Sequence, residues 1–391
     1  LCNQWLKFYK PNTLRYLVFN YFQTIMQQGA LQDIGKLFLK LGLIAFGGPA
    51  AHIAMMRDEV VRKRNWMTDS HFLDLVGATN LIPGPNSSEL AIHLGKEKGG
   101  WKGLLIAGLC FILPAVFITL GFAYLYKNYG HLPEIQPFIY GIKPAIIAII
   151  LSAVYPLAKT ALKSDFLIFI GILALTASFL GLNEILILFG CGFSALIVTC
   201  FQTNKNQLNS FLPLSLVTVS HTKLFFIFLK IGSILYGSGY VLFAFLDSEL
   251  VQTGFLPRQT LIDAIAVGQF TPGPVFSSVT FIGYQMNGGM GALVATIGIF
   301  LPSFVFVALL NPMVKKMRDS RLFGAFLDAV NVASVALIVA ICVTMGRASV
   351  TDWRTVAIMF TSLIVVFGFR KINSVWVVLG GSLLGYLLSL L

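Results

Sequence analysis

The sequence predicts an all-α polytopic membrane protein: two inverted-topology repeats of about five transmembrane helices each, with a re-entrant Pro-Gly-Pro hairpin in each repeat. Three observations predict it. Of 391 residues, 57% are hydrophobic and only 11% charged, less than half the roughly 25% charge of a soluble domain. Apolar runs of about 20 residues, enough to cross a ~30 Å hydrocarbon core, recur along the whole chain. The chain also repeats itself at a near-constant spacing.

Taken in order, residues 1–35 contain a short apolar patch, LRYLVF, with Lys10 and Arg15 beside it. That reads as an interfacial segment rather than a span or a cleavable signal. Spans near 36–56, 103–126, 138–158, 166–182 and 184–201 form the first repeat, 36–201. Residues 202–223 are a cytoplasmic linker. Spans near 224–246, 291–313, 323–345, 355–369 and 374–391 form the second, inverted repeat, 224–391.

The repeat is visible by direct alignment. LKLGLIAFGGP at 39–49 matches LKIGSILYGSG at 229–239, so Lys40 pairs with Lys230 and Gly47 with Gly237. Glu59 then pairs with Glu249, and Pro83-Gly84-Pro85 with Pro272-Gly273-Pro274. Gly99-Gly100 aligns with Gly288-Gly289, and FILPA at 111–115 with IFLPS at 299–303, all at offsets of 188 to 190.

Charge decides the topology. If each Pro-Gly-Pro segment dips into the membrane and returns, the clusters Arg57–Arg64, Lys96–Lys102, Lys159–Lys163 and Lys315–Arg321 share one side, as the positive-inside rule requires. If the segments crossed, two of those clusters would be pushed outside. Five spans per half is an odd number, which turns the second repeat upside down. The net charge of +12 is thereby loop charge rather than a nucleic-acid surface. Five scattered cysteines without CxxC spacing argue against a disulfide framework or a zinc site, and no residue pattern asks for a cofactor.

Two prolines flanking a glycine break a helix, and broken backbone at membrane depth survives only where protein buries it or a polar cavity receives it. Proline favours the first helical position. A half-helix starting at Pro85 would aim the amides of Asn86, Ser87 and Ser88 out of its N-terminus; Pro274 would do the same for Val275, Phe276 and Ser277. With the hydroxyls of Ser87, Ser88, Ser277 and Ser278, the two termini would form a donor-rich cradle suited to an anion. A simple kink would explain one such motif; two at matched positions favour the cradle. One helix terminus contributes only about 0.3–2 kcal/mol, so a dianion asks for cations as well. Lys40, Lys230 and Lys143 are the intramembrane candidates, with snorkelling to the headgroups as the alternative reading. Glu89, in the first turn of the half-helix, and His93, one turn later on the same face, are candidates for coupling a proton to the anion; Glu89 as a plain helix cap is the alternative.

At these residues the chain resembles the chromate ion transporter family in its long, two-domain form. The matching strings are LGLIAFGGPAAHIAMMRDEVV, GATNLIPGPNSSELAIHLG, GQFTPGPVFSSVTFIGY and GIFLPSFVFV, with GIKPAIIAII also typical. The resemblance implies multi-pass residence in the plasma (inner) membrane, export of chromate, antiparallel domains, and a role in transport for Phe46-Gly47-Gly48-Pro49 and for both Pro-Gly-Pro motifs. The second half carries YGSG where the first has FGGP. Expected partners are chromate or a sulfate-like oxyanion, membrane lipids, a proton as coupling ion and, left open, a second copy of the chain. A passive oxyanion channel and a transporter of sulfate or another anion remain alternatives. An intramembrane hydrolase is disfavoured: Ser88 and His93 are spaced to point apart on a helix, and no nucleophile–base–oxyanion set is in register.

Overall fold

The computed structural model describes residues 29–46, 48–130, 132–203, 221–237, 239–310, 320–369 and 372–390. All regular structure among them is helical. The N-terminal interfacial segment and most of the linker lie outside the described residues, as do Gly47 and the cluster from Lys315 to Arg318.

The first repeat opens with α1 (29–44), a break, and α2 (Gly48–Arg57), which runs on as a π-turn (Asp58–Lys63). The expected span 36–56 is therefore two helices rather than one. The reason is local: Ala45 and Phe46 leave the helix, and Gly48 takes a left-handed φ of 79°. The second repeat breaks at the same place, between α9 (His221–Ile234) and α10 (Val241–Leu246), with Gly237 at φ 98° and its own π-turn at Asp247–Val251.

Next comes α3 (Asp69–Thr79), capped by the Thr68 side chain, then Pro-Gly-Pro, then the helical run Asn86–Tyr129. That run is two helices, because Gly99 and Gly100 leave helical geometry and Gly100 has φ 58°. We name them α4 (86–98) and α5 (101–129). They fold back on one another: a Cβ placed on Gly95 would stand 2.3 Å from the Gly103 carbonyl oxygen and 2.4 Å from Ala107 Cβ. In a straight helix, residues eight apart are separated by about 12 Å. At about 16 and 20 Å long, α3 and α4 are each too short to cross a ~30 Å core, and together they form a hairpin.

The second repeat copies this with α11 (Arg258–Phe270), a 3₁₀ turn at Val275–Ser277, α12 (278–286) and α13 (289–310). Its fold-back lies at Asn287 and Gly288 (φ 61°), with Gly283 pressed on Gly291. The turn pair matching Gly99-Gly100 is thus Asn287-Gly288, one residue earlier than the sequence alignment placed it. The tighter 3₁₀ start shortens the path from the Pro-Gly-Pro glycine to the packing glycine by one residue.

Each repeat closes with three apolar helices: α6 (Gln136–Ala161), α7 (Asp165–Phe179) and α8 (Glu184–Thr203), then α14 (Arg321–Ser349), α15 (Trp353–Gly368) and α16 (Ser374–Ser389). The halves interlock. α6 and α14 pack together; α6 also takes α15 and α16 from the other half, and α14 takes α7 and α8. The close approach of α6 to α16 rests on Gly141 against Gly381 and Gly385, where a Cβ on Gly141 would meet backbone at 2.2–2.8 Å. The long runs and apolar faces make this a polytopic membrane protein.

Candidate functional site

Both Pro-Gly-Pro tips are buried, and each is held by the opposite repeat. The Gly84 amide donates to the Leu235 carbonyl at 2.8 Å, and the Gly273 amide to the Ala45 carbonyl at 2.8 Å. Those acceptors are the carbonyls at which the two first helices break. Unwinding at FGGP and YGSG therefore exposes the acceptor that the other half's hairpin requires, and each break satisfies what the other leaves open. His52, fully buried, places Nε2 3.1 Å from the same Ala45 oxygen.

The glycines are dictated by contact. Gly84 has φ 136°, and a Cβ there would stand 2.3 Å from Glu89 Oε1 and 2.7 Å from Ser303 Oγ. Gly273 has φ 88°, and its Cβ would meet Ala115 Cβ at 3.0 Å. Ser303 and Ala115 are the last residues of IFLPS and FILPA, so each tip seats on the Leu-Pro motif of the other half. No side chain larger than hydrogen fits either position without strain.

Of the expected donors, some are consumed. The Ser88 amide turns inward to the Pro85 carbonyl (2.8 Å) and the Ser277 amide to Pro274 (2.9 Å). Among the described residues this leaves Asn86 and Ser87 at one tip, and Val275 and Phe276 at the other, without a carbonyl acceptor, as the first turn of a helix demands. Among the described residues no hydrogen bond joins the two tips directly; they are linked through the helices they seat on.

The tips differ chemically. At the first, Glu89 is wholly buried with neither carboxyl oxygen in an aligned hydrogen bond, beside the unpaired hydroxyls of Ser88 and Ser303. Tyr236, of YGSG, directly follows Leu235, whose carbonyl receives the Gly84 amide. One turn on, His93 is equally buried with both ring nitrogens unpaired. At the second tip the position matching Glu89 is Ser278, and the neighbours are hydroxyls: Thr119 lies 3.2 Å from Ser277 Oγ and 3.5 Å from Thr271 Oγ1.

The three lysines go elsewhere. Lys40 pairs with Glu59 at 2.9 Å and Lys230 with Glu249 at 2.7 Å, each lysine about half exposed. These are repeat-related ties from the first helix to the π-turn, so neither amine is brought to a tip. Glu59 also receives Lys63 and Arg64; hydrogen bonding from Lys40, then from Lys63, pulls its carboxyl down to about 2. Lys143, by contrast, is half-buried on α6, 3.9 Å from Asp263 of α11, whose other oxygen accepts the Tyr126 hydroxyl at 2.6 Å. Of the FGGP motif, Phe46 lies in the break, Gly48 and Pro49 start α2, and Gly47 is outside the described residues.

A cavity of about 640 Å³ opens beside the first tip, where Asn86 donates to Asn80 at 2.7 Å and Asn331 and Ser334 of α14 face them. Its mouth holds the ion pair Lys163–Asp328 at 2.7 Å. None of Asn80, Asn331, Ser334, Tyr236, Ser303 or Thr119 was singled out from sequence. Ser303 could have been, because it ends a motif already matched between the halves; Asn331 lies in the weakly matching later spans and carried no such signal.

The chromate transporter family profile matches residues 32–196 and 222–386, one match per half. A chromate transport protein of Cupriavidus metallidurans is 29% identical over 91% of this chain and 92% of its own. A probable chromate transport protein of Synechococcus elongatus is 30% identical over 86% and 89%. An uncharacterized transporter of Methanocaldococcus jannaschii is 26% identical over 91% and 94%. No solved structure matches the chain. With both halves matched along nearly their full length, each including its Pro-Gly-Pro hairpin, the chain belongs to the chromate transporter family.

Proposed function

We propose that the chain is a secondary active transporter that exports chromate, or a tetrahedral oxyanion of like charge, across the plasma membrane. The observation that carries this reading is the reciprocal anchoring of the two tips, each held by the other half with two amide donors left over. Donors without acceptors favour an anion, and the relatives' names supply chromate. Substrate contacts are assigned to the tips at Pro83–Ser88 and Pro272–Ser278, with the half-buried Lys143 as the supplementary cation; Lys40 and Lys230 are set aside because each is about half exposed and tied to a glutamate at 2.9 and 2.7 Å.

Inverted topology is supported by α6, which meets the second hairpin through Lys143 near its start and, through Leu157 and Thr160 near its end, lines the cavity beside the first hairpin. The hairpins thus approach from opposite ends of one helix. Coupling is assigned to Glu89, with His93 beside it. An ionised carboxylate buried with hydroxyls beside it but no cation paired to it costs several kcal/mol. A proton removes that cost, and with it the charge that repels an arriving anion.

Reconstitution tests this reading. A proton gradient across proteoliposomes should drive chromate uphill, and the sign of the effective gradient tells exchange from co-transport. Glu89→Gln should lose uphill flux by on the order of tenfold while keeping downhill flux. Flux that follows only the anion gradient in the unaltered chain would establish a channel instead.

A further inference from the structure

The two ends of this repeat protein are in different states. N-caps Ser164 and Asp352 are 188 residues apart, and so are Ala115 and Ser303, which seat the two tips. The same spacing sets Lys143 of α6 on Asn331 of α14, and the hairpin spacing of 189 between Gly84 and Gly273 sets Asn86 on Val275. At one end Asn331 and Asn86 face a cavity of about 640 Å³, the share of roughly twenty waters in the liquid. At the other end, the corresponding Val275 is buried and Lys143 is shut against Asp263, with side chains 16% and 6% exposed.

We propose that Lys143 and Asp263 close a second oxyanion vestibule, related to the open one by the internal repeat, in which Lys143 holds the anion once Asp263 releases it. This rests on the inverted-repeat carrier reading and adds to it a site with its own cation. The pairing is suited to exchange. At 3.9 Å the Lys143–Asp263 contact is long, and Asp263 keeps the Tyr126 hydroxyl at 2.6 Å and Gln259 at 3.4 Å after the amine leaves. A buried ammonium cannot be left alone without several kcal/mol of penalty, so it passes from one anion to another. A dianion offers it twice the charge of the carboxylate at equal distance. The open vestibule has a neutral carboxamide in the equivalent place and its lysine only at the mouth, so the anion is gripped more firmly at the Lys143 end.

The test uses the full chain in oriented membrane vesicles, with Asn86→Cys or Val275→Cys added and a membrane-impermeant maleimide applied to either face, the unaltered chain giving the baseline. Asn86→Cys should react from the face bearing Lys163. Val275→Cys should be protected at rest, then react on the order of tenfold faster from the opposite face when sulfate is added or when Asp263→Asn is combined with it. Lys143→Gln should abolish the sulfate effect. Should Asp263→Asn fail to accumulate, the sulfate arm decides on intact Asp263. Reaction of both cysteines from one face overturns the inverted-repeat reading together with this inference. Reaction from opposite faces, indifferent to both sulfate and Asp263→Asn, overturns the second vestibule alone.

Discussion

Glu59 shows how a single residue's role follows from its neighbours. It accepts from Lys40, Lys63 and Arg64 and is almost fully buried at the start of a π-turn. Its carboxyl is held at about 2, below the value in an unfolded chain. The stabilisation is therefore complete above about pH 4.5 and is lost as pH falls toward 2. Because Lys40 and Lys63 are more than half exposed, solvent screening reduces its worth to about 1–2 kcal/mol. Glu59→Gln should lower the melting temperature in detergent at pH 7 and flatten its decline between pH 5 and 3, measured by intrinsic fluorescence. An unchanged acid profile would remove Glu59 from the account. In the sequence Glu59 stands out only as the repeat partner of Glu249 beside a basic cluster. The identity of its closest partner, Lys40, nineteen residues away, needed the folded chain.

At the scale of elements, the fold-back between α4 and α5 decides whether the hairpin exists. Gly103 lies against the Gly95 carbonyl so closely that an added Cβ would stand 2.1 Å from that oxygen, whereas Gly289, just past the equivalent turn in the second repeat, has nothing within 4 Å. Gly103→Ala should therefore force the two helices apart and cost about 1–3 kcal/mol. Gly289→Ala should be neutral or stabilising by up to about 1 kcal/mol, since alanine is the better helix former. Thermal unfolding of both variants in the same detergent checks the contrast; equal effects would mean the fold-back contact is incidental. The glycine-rich turns were plain in the sequence, one residue out of register in the second repeat. That Gly95 and Gly103, or Gly283 and Gly291, close helices against each other at backbone contact was not, because a composition of small residues does not state which surfaces they bring together.

At the scale of the molecule, the repeats are interlocked rather than adjacent. α6 is covered by α15 and α16, α14 by α7 and α8, and each tip hangs from the other half's broken helix. Neither half can bury its own helices or satisfy its own break. The two halves expressed as separate chains, split within 204–220, should each be degraded alone and accumulate together as a complex recovered by a tag on one of them. Stable accumulation of either half by itself would contradict the interlock.

The sequence by itself determined the class, the repeat and the position of both hairpins, because each is written in local chemistry: apolar length, loop charge, and prolines that cannot remain in a helix. Only the tertiary structure decided that the first helices break, that Leu235 and Ala45 receive Gly84 and Gly273, and that Lys143 pairs with Asp263 while Lys40 and Lys230 are tied to glutamates. Those between the two halves are pairings across some 120 to 230 residues of chain. A carbonyl or an amine has the same local sequence whether its partner lies in its own half or in the other, and only the packing of helix against helix selects between them.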